Sequence, residues 1–127
     1  MTSQKQIALA GFVLGALAVA LGAFGAHALK NLLALSGRTE TYELAVKYHF
    51  YHSLVLLALA ALQPQVGENK ARWSARLILL GTLLFSGSLY LLAIFETKAV
   101  VFVTPVGGTL LIAGWLTAVW GILKAAD

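Results

Sequence analysis

The sequence predicts an all-α protein, a four-transmembrane-helix antiparallel bundle forming a single integral membrane domain over residues 1–127. Three observations lead there. Of the 127 residues 60% are apolar and only 11% are charged, whereas a soluble domain carries about 25% charged residues. Four apolar runs, at about residues 7–27, 44–62, 74–95 and 104–123, are each near the ~20 residues that cross a bilayer as a helix. The nine Lys and Arg lie mainly in the connections, where such residues anchor to lipid headgroups. They form no stripe with interleaved aromatics, so nucleic acid is not an expected partner. Cysteine is absent, which removes disulfides, thiolate metal sites and thiol catalysis.

The first run holds no charge from residue 7 to residue 26, and twenty helical residues rise ~30 Å. A cleaved signal peptide is the rival reading, with Lys5 as its basic start and Ala26-His27-Ala28 as its small-residue site. The apolar core of such a peptide is roughly 7–15 residues, shorter than this run, so a retained helix is expected. Ser36 and Gly37 break the chain next. Thr39 is a candidate N-cap, with Glu40 and Glu43 in the following turn. Glu43 and Lys47 stand at i,i+4 in the favourable order, and Lys47 can snorkel outward.

The second span stops before Pro64. The third follows a polar connection in which Lys70, Arg72 and Arg76 surround Trp73, an interfacial combination. Thr104-Pro105 reads as an N-cap followed by proline at the first helical position, opening a fourth span that contains Trp115 and Trp120. Both termini and the middle connection share one side, with Lys5, Lys70, Arg72, Arg76 and Lys124. The other side has Lys30, Arg38, Lys47 and Lys98. Five against four leans toward cytoplasmic termini, in a multi-pass protein of the inner (plasma) membrane.

Small residues mark the expected packing faces. Gly11, Gly15, Gly22 and Gly25, with Ala18, form a strip along the first span. Gly107, Gly114 and Gly121, with Ala118, form another along the fourth. Lipid gives no hydrophobic reason for helices to associate, so small residues act by letting backbones approach. On this reading the two strips meet, and spans one and four close a compact bundle.

Depth along the antiparallel helices collects the polar residues in one half. His27 closes the first span. His49 and His52 lie ~8 and ~12 Å below Leu44, and Tyr90 and Ser86 lie ~8 and ~14 Å below Phe95 on the same side. With Tyr48, Tyr51, Ser88 and Thr104 they form a polar half-bundle, against a second half of Leu, Ala, Val and Gly. Ionisable residues inside a span default to a functional reading. The candidate ligand-binding set is His27, Tyr48, His52, Ser86, Ser88, Tyr90 and Thr104, with His52 expected beside Ser86 and Tyr90. The competing reading is that these imidazoles, phenols and hydroxyls tie the helices together by hydrogen bonds. No catalytic residue, metal site or cofactor is assigned. Carboxylates paired with histidines are missing from the other spans, and no Ser-His pair has a carboxylate orienter within the membrane.

The residues now in view also carry a resemblance. Leu21-Gly22-Ala23-Phe24-Gly25-Ala26-His27, the run from Tyr48 to His52, Leu84-Phe85-Ser86-Gly87-Ser88-Leu89-Tyr90, Thr104-Pro105-Val106-Gly107-Gly108 and Gly114-Trp115 resemble the domain of unknown function 423 family of bacterial membrane proteins. That family is similar to transmembrane protein 256 of animals. The likeness runs over residues 11–120 and implies a four-helix membrane protein without an assigned reaction. His27, Tyr48, His52, Ser86, Ser88, Tyr90, Thr104, Gly107 and Gly108 fall on its motif positions. At His49 the family leads one to expect glutamine, which weakens a two-histidine ligand site. The expected function is non-enzymatic: a small integral membrane protein of unassigned function, whose polar half binds or supports another membrane component. Membrane lipid is its expected partner, with another membrane protein or a second copy as further partners. The alternatives are an amphiphile-, quinone- or haem/metal-binding protein and an oligomeric pore or transporter.

Overall fold

The structure, a computed structural model, describes residues 1–125. Its helices are α1 (Ser3–Ala26), α2 (Lys30–Ser36), α3 (Thr39–Ala61), α4 (Gln63–Val66), α5 (Glu68–Phe95) and α6 (Val103–Lys124), with a 3-10 turn, Lys98–Phe102, before α6. No strand forms among the described residues. Four of these segments are long and apolar enough to cross a membrane: α1, α3, α5 and the stretch ending in α6.

Local chemistry sets the helix ends. Thr2 caps α1, its side chain accepting from the Lys5 N–H at 3.3 Å. Gly37 closes α2 at φ 69°, a left-handed conformation that glycine adopts without a Cβ penalty. The first connection is thus a short helix rather than a loop. Thr39 is the first residue of α3 and makes no side-chain cap, the cap position belonging to Arg38. The expected Thr104-Pro105 start is corrected in the same way. The 3-10 turn runs straight into α6, Phe102 holds the cap position, and Thr104 lies inside the first turn, its hydroxyl engaged by Ser88. Pro105 also falls in that turn, where its missing N–H breaks no intrahelical bond.

Helix α5 is 28 residues long, ~42 Å at helical rise, so its charged first turns extend beyond the hydrocarbon core. There Lys70 Nζ sits 3.4 Å from the ring centroid of Trp120, and the Arg76 guanidinium 5.2 Å from that of Trp73. Both pairs place a cation on an aromatic face at one end of the bundle.

The four spans pack in chain order, α1 on α3, α3 on α5 and α5 on α6. The middle helices are covered on more sides: 39% and 44% of the most apolar stretch of α3 and α5 is buried, against 22% and 17% for α1 and the α6 segment. The bundle is therefore open, and α1 and α6 share no comparable interface. This corrects the expected meeting of the two small-residue strips. A Cβ on Gly11 would stand 2.8 Å from Leu57 Cδ2 and 3.0 Å from the Ser53 carbonyl of α3. A Cβ on Gly25 would run into the Tyr42 ring, and Gly15 and Gly22 face Ser53 and Val46 of the same helix. On α6 a Cβ at Gly107 would overlap the backbone of Phe85, and at Gly114 it would lie 2.7 Å from Ile78 Cγ1; both partners are on α5. Gly121 abuts Val66 and Lys70. Each strip thus faces the sequence-adjacent span. Spacing tells which backbone can be approached closely, not which helix makes the approach.

Candidate functional site

Helices α3 and α5 place the predicted polar residues in one half of the bundle, but in separate groups. The first joins α1, α3 and α5. His49 Nδ1 lies 2.9 Å from Tyr90 Oη, Tyr90 packs edge-on against Tyr42 with centroids 5.3 Å apart, and the Tyr42 hydroxyl donates to the Leu21 carbonyl of α1. His49 is buried, and its Nε2 faces the backbone of Leu14 without reaching hydrogen-bond geometry.

The second group joins α3, α5 and α6. His52 Nδ1 is 2.7 Å from the Tyr48 carbonyl, and Trp115 Nε1 donates to His52 Nε2 at 3.1 Å. An indole N–H can only donate, so Nε2 accepts and Nδ1 carries the proton given to Tyr48. This neutral imidazole has both nitrogens occupied. Tyr48 packs on the tilted ring of Phe85 at 4.7 Å and stacks on His52 at 6.0 Å.

The serines serve the backbone. Ser86 Oγ donates to the Ala45 carbonyl at 2.8 Å, linking α5 to α3. Ser88 Oγ donates to the Phe85 carbonyl at 2.8 Å and therefore receives the Thr104 hydroxyl, 2.6 Å away.

Two expectations need correction here. His52 does not stand with Ser86 and Tyr90: it turns toward α6, and His49 is the histidine that meets Tyr90. The two positions are only about 60° apart around α3, yet His49 meets Tyr90 of α5 and His52 meets Trp115 of α6. His27 is exposed at the end of α1 and belongs to neither group. Sequence reasoning placed His49 in the polar half and Trp115 in the fourth span but left both out of the candidate set, and it passed over Tyr42. Trp115 had a usable signal: it lies twelve residues into α6 and His52 thirteen into α3, so both are ~18–20 Å from the same end. The opposite half also holds more polar contacts than expected. Ser74 donates to the Gly114 carbonyl at 2.7 Å, and Gln4 Nε2 to the Ala60 carbonyl at 2.8 Å.

Two large lateral cavities border α3, with a smaller one of about 400 Å³ beside His49. The larger, about 670 Å³, lies between α1 and α3 beneath Leu33 of α2. Its α3 wall carries Thr39, Glu43, Lys47 and Tyr51, one residue per turn, beside Tyr42, Val46 and Phe50, and its α1 wall is small and apolar, with Ala18, Val19, Gly22 and Ala23. The second, about 590 Å³, is lined by Tyr48, Tyr51, His52, Phe85 and Trp115. Among the described residues no three His, Asp or Glu side chains cluster closely enough to hold a metal ion. Ligation by His52 would require breaking the bond from Trp115 or the bond to Tyr48.

These features define a class, an integral membrane protein built as an open four-helix antiparallel bundle whose histidines and tyrosines join neighbouring spans. The chain belongs to the family described as "Protein of unknown function (DUF423)", whose model matches residues 21–108. A UPF0382 membrane protein of Staphylococcus saprophyticus is 41% identical, covering 88% of this chain and 95% of the relative. A UPF0382 membrane protein of Haemophilus influenzae is 39% identical over 94% of this chain and 91% of its own. The UPF0382 inner membrane protein YgdD of Escherichia coli K12 is 38% identical over 98% and 93%. No solved structure matches the chain.

Proposed function

We propose that this protein is a non-enzymatic membrane protein that holds a membrane amphiphile in the cavity between α1 and α3. The observation that carries the reading is the composition of that cavity. Glu43, Lys47 and Thr39 stand on its α3 wall toward the helix start, and the wall contributed by α1 is apolar. A water-soluble ligand has no use for the apolar wall, and a hydrocarbon has none for the charges. A molecule with a polar head and an apolar tail matches both. The hydrogen bonds of Ser86, Ser88 and His52 favour a supporting role for the remaining candidates, since each is committed to another helix or to backbone.

In this account the protein resides in the inner membrane with its termini cytoplasmic. The excess of Lys and Arg on that side and the printed name of the E. coli relative support it. The cavity then opens toward the outer leaflet.

Gly22 provides the test. A Cβ there meets only Val46, at 3.4 Å, and Gly22 lines the cavity, so Gly22→Leu adds its bulk at the cavity wall from a Cβ that strikes no backbone. Native mass spectrometry of protein extracted in mild detergent should find a co-purifying amphiphile on the wild type. The variant should lose most of it while keeping its thermal stability. Equal retention by a folded Gly22→Leu would refute the reading.

A further inference from the structure

We propose that the occupant of the α1–α3 cavity is a phospholipid whose phosphate is followed by a terminal primary ammonium, as in phosphatidylethanolamine. This rests on the amphiphile reading of the same cavity and names its ligand class.

The order of charges along α3 carries the inference. Thr39, Glu43, Lys47 and Tyr51 recur every four residues and all line the cavity, so they form a row that winds slowly around the helix at ~6 Å of rise per step. Thr39 begins the helix and stands nearest the end of the bundle. The carboxylate of Glu43 comes next, then the ammonium of Lys47, then the phenol of Tyr51. A phospholipid entering sideways from the bilayer presents its groups in a fixed sequence: ammonium outermost, phosphate beneath it, acyl chains below. Each group then meets its complement. The terminal ammonium reaches Glu43, the phosphate reaches Lys47, and the chains descend along Ala18, Val19, Gly22 and Phe50, which line the same cavity.

Other headgroups match this file less well. A phosphoglycerol head has no cation for Glu43 and sets a carboxylate beside its own phosphate. A phosphocholine head has a cation, but its quaternary nitrogen carries no N–H to donate to a carboxylate. A free anion would satisfy Lys47 but offers nothing to Glu43 and nothing to the apolar wall. The cavity is open laterally between two spans, so the lower acyl chains can remain in the bilayer while the headgroup and upper chains are held.

The experiment is a competition. Delipidated protein is exposed to an equimolar mixture of dioleoyl phosphatidylethanolamine, phosphatidylglycerol and phosphatidylcholine, and the retained lipid is read by native mass spectrometry. The wild type should favour phosphatidylethanolamine about fivefold, as expected for one partly exposed charge pair. Glu43→Gln should remove that preference while lipid is still retained, and Lys47→Gln should lower retention of all three lipids. Gly22→Leu should abolish the preference by filling the site. Lipid retained without headgroup preference, or a preference unchanged in Glu43→Gln, overturns this inference and leaves the amphiphile reading standing. No lipid retained from any of the three also overturns this inference, and overturns the amphiphile reading as well if the wild type carries no co-purifying amphiphile.

Discussion

The indole of Trp115 on α6 donates to Nε2 of His52 on α3, 3.1 Å away, and fixes the imidazole as the tautomer that gives its Nδ1 proton to Tyr48. This bond reaches from the outer helix α6 to the central helix α3, although α6 packs mainly on α5. Trp115→Phe keeps the aromatic contact and removes the donor. It should cost about 1 kcal/mol, the scale of interhelical hydrogen bonds in membranes. Combined with His52→Ala in a double-mutant cycle followed by thermal unfolding in detergent, the loss should fall short of the sum of the two single losses by about that amount. Strictly additive losses would mean that the bond contributes nothing.

That pair also shows what the sequence discloses and what it withholds. The four spans were legible because hydrophobic length is a one-dimensional property, and the break at Ser36-Gly37 was legible because backbone conformation is local. Depth was legible too, and it placed His52, Ser86 and Tyr90 in one half of the bundle. Rotation about each helix axis was not. It decides that His49 rather than His52 meets Tyr90, and that the glycines of α1 face Ser53 and Leu57 rather than α6. The short helix α2 escaped notice because seven residues between two strong apolar runs carry little periodic signal.

The glycines divide sharply by environment. Gly107→Ala sets a Cβ against the Phe85 backbone, which cannot yield as a side-chain tip can. Such overpacking should destabilise by about 1–3 kcal/mol. Gly87→Ala meets nothing within 4 Å and should be neutral or stabilising by up to about 1 kcal/mol, through helix propensity. Thermal midpoints in one detergent compare the two directly. Equal effects would show that α5 and α6 do not approach as closely as described.

His49 and Tyr90 offer a second contrast. Tyr90→Phe leaves His49 Nδ1 buried without its 2.9 Å partner and should cost about 1–3 kcal/mol. His49→Gln retains a side-chain amide able to meet the Tyr90 hydroxyl and should cost less than half as much. A larger loss for His49→Gln than for Tyr90→Phe would show that the ring itself, not its hydrogen bond, holds α3 to α5.

Topology is open to a direct check. Four spans return the chain to its starting side, so reporter domains fused at the two termini should report the same compartment, the cytoplasm on the charge argument. Reporters in opposite compartments would mean that one of the four helices does not cross.

The central claim is that an amphiphile sits between α1 and α3, and photocrosslinking in nanodiscs tests it most directly. A phospholipid with a photoreactive group high in its acyl chain is incorporated with the wild-type protein, irradiated, and mapped by peptide sequencing. Leu9, Phe12, Leu116 and Val119 are exposed apolar residues of α1 and α6 and report ordinary bilayer contact. The account predicts labelling concentrated on Val46 and Phe50, which line the cavity, above the level at those outer residues and strongly reduced there by Gly22→Leu. Uniform labelling of cavity and outer faces, unchanged in the variant, would contradict it.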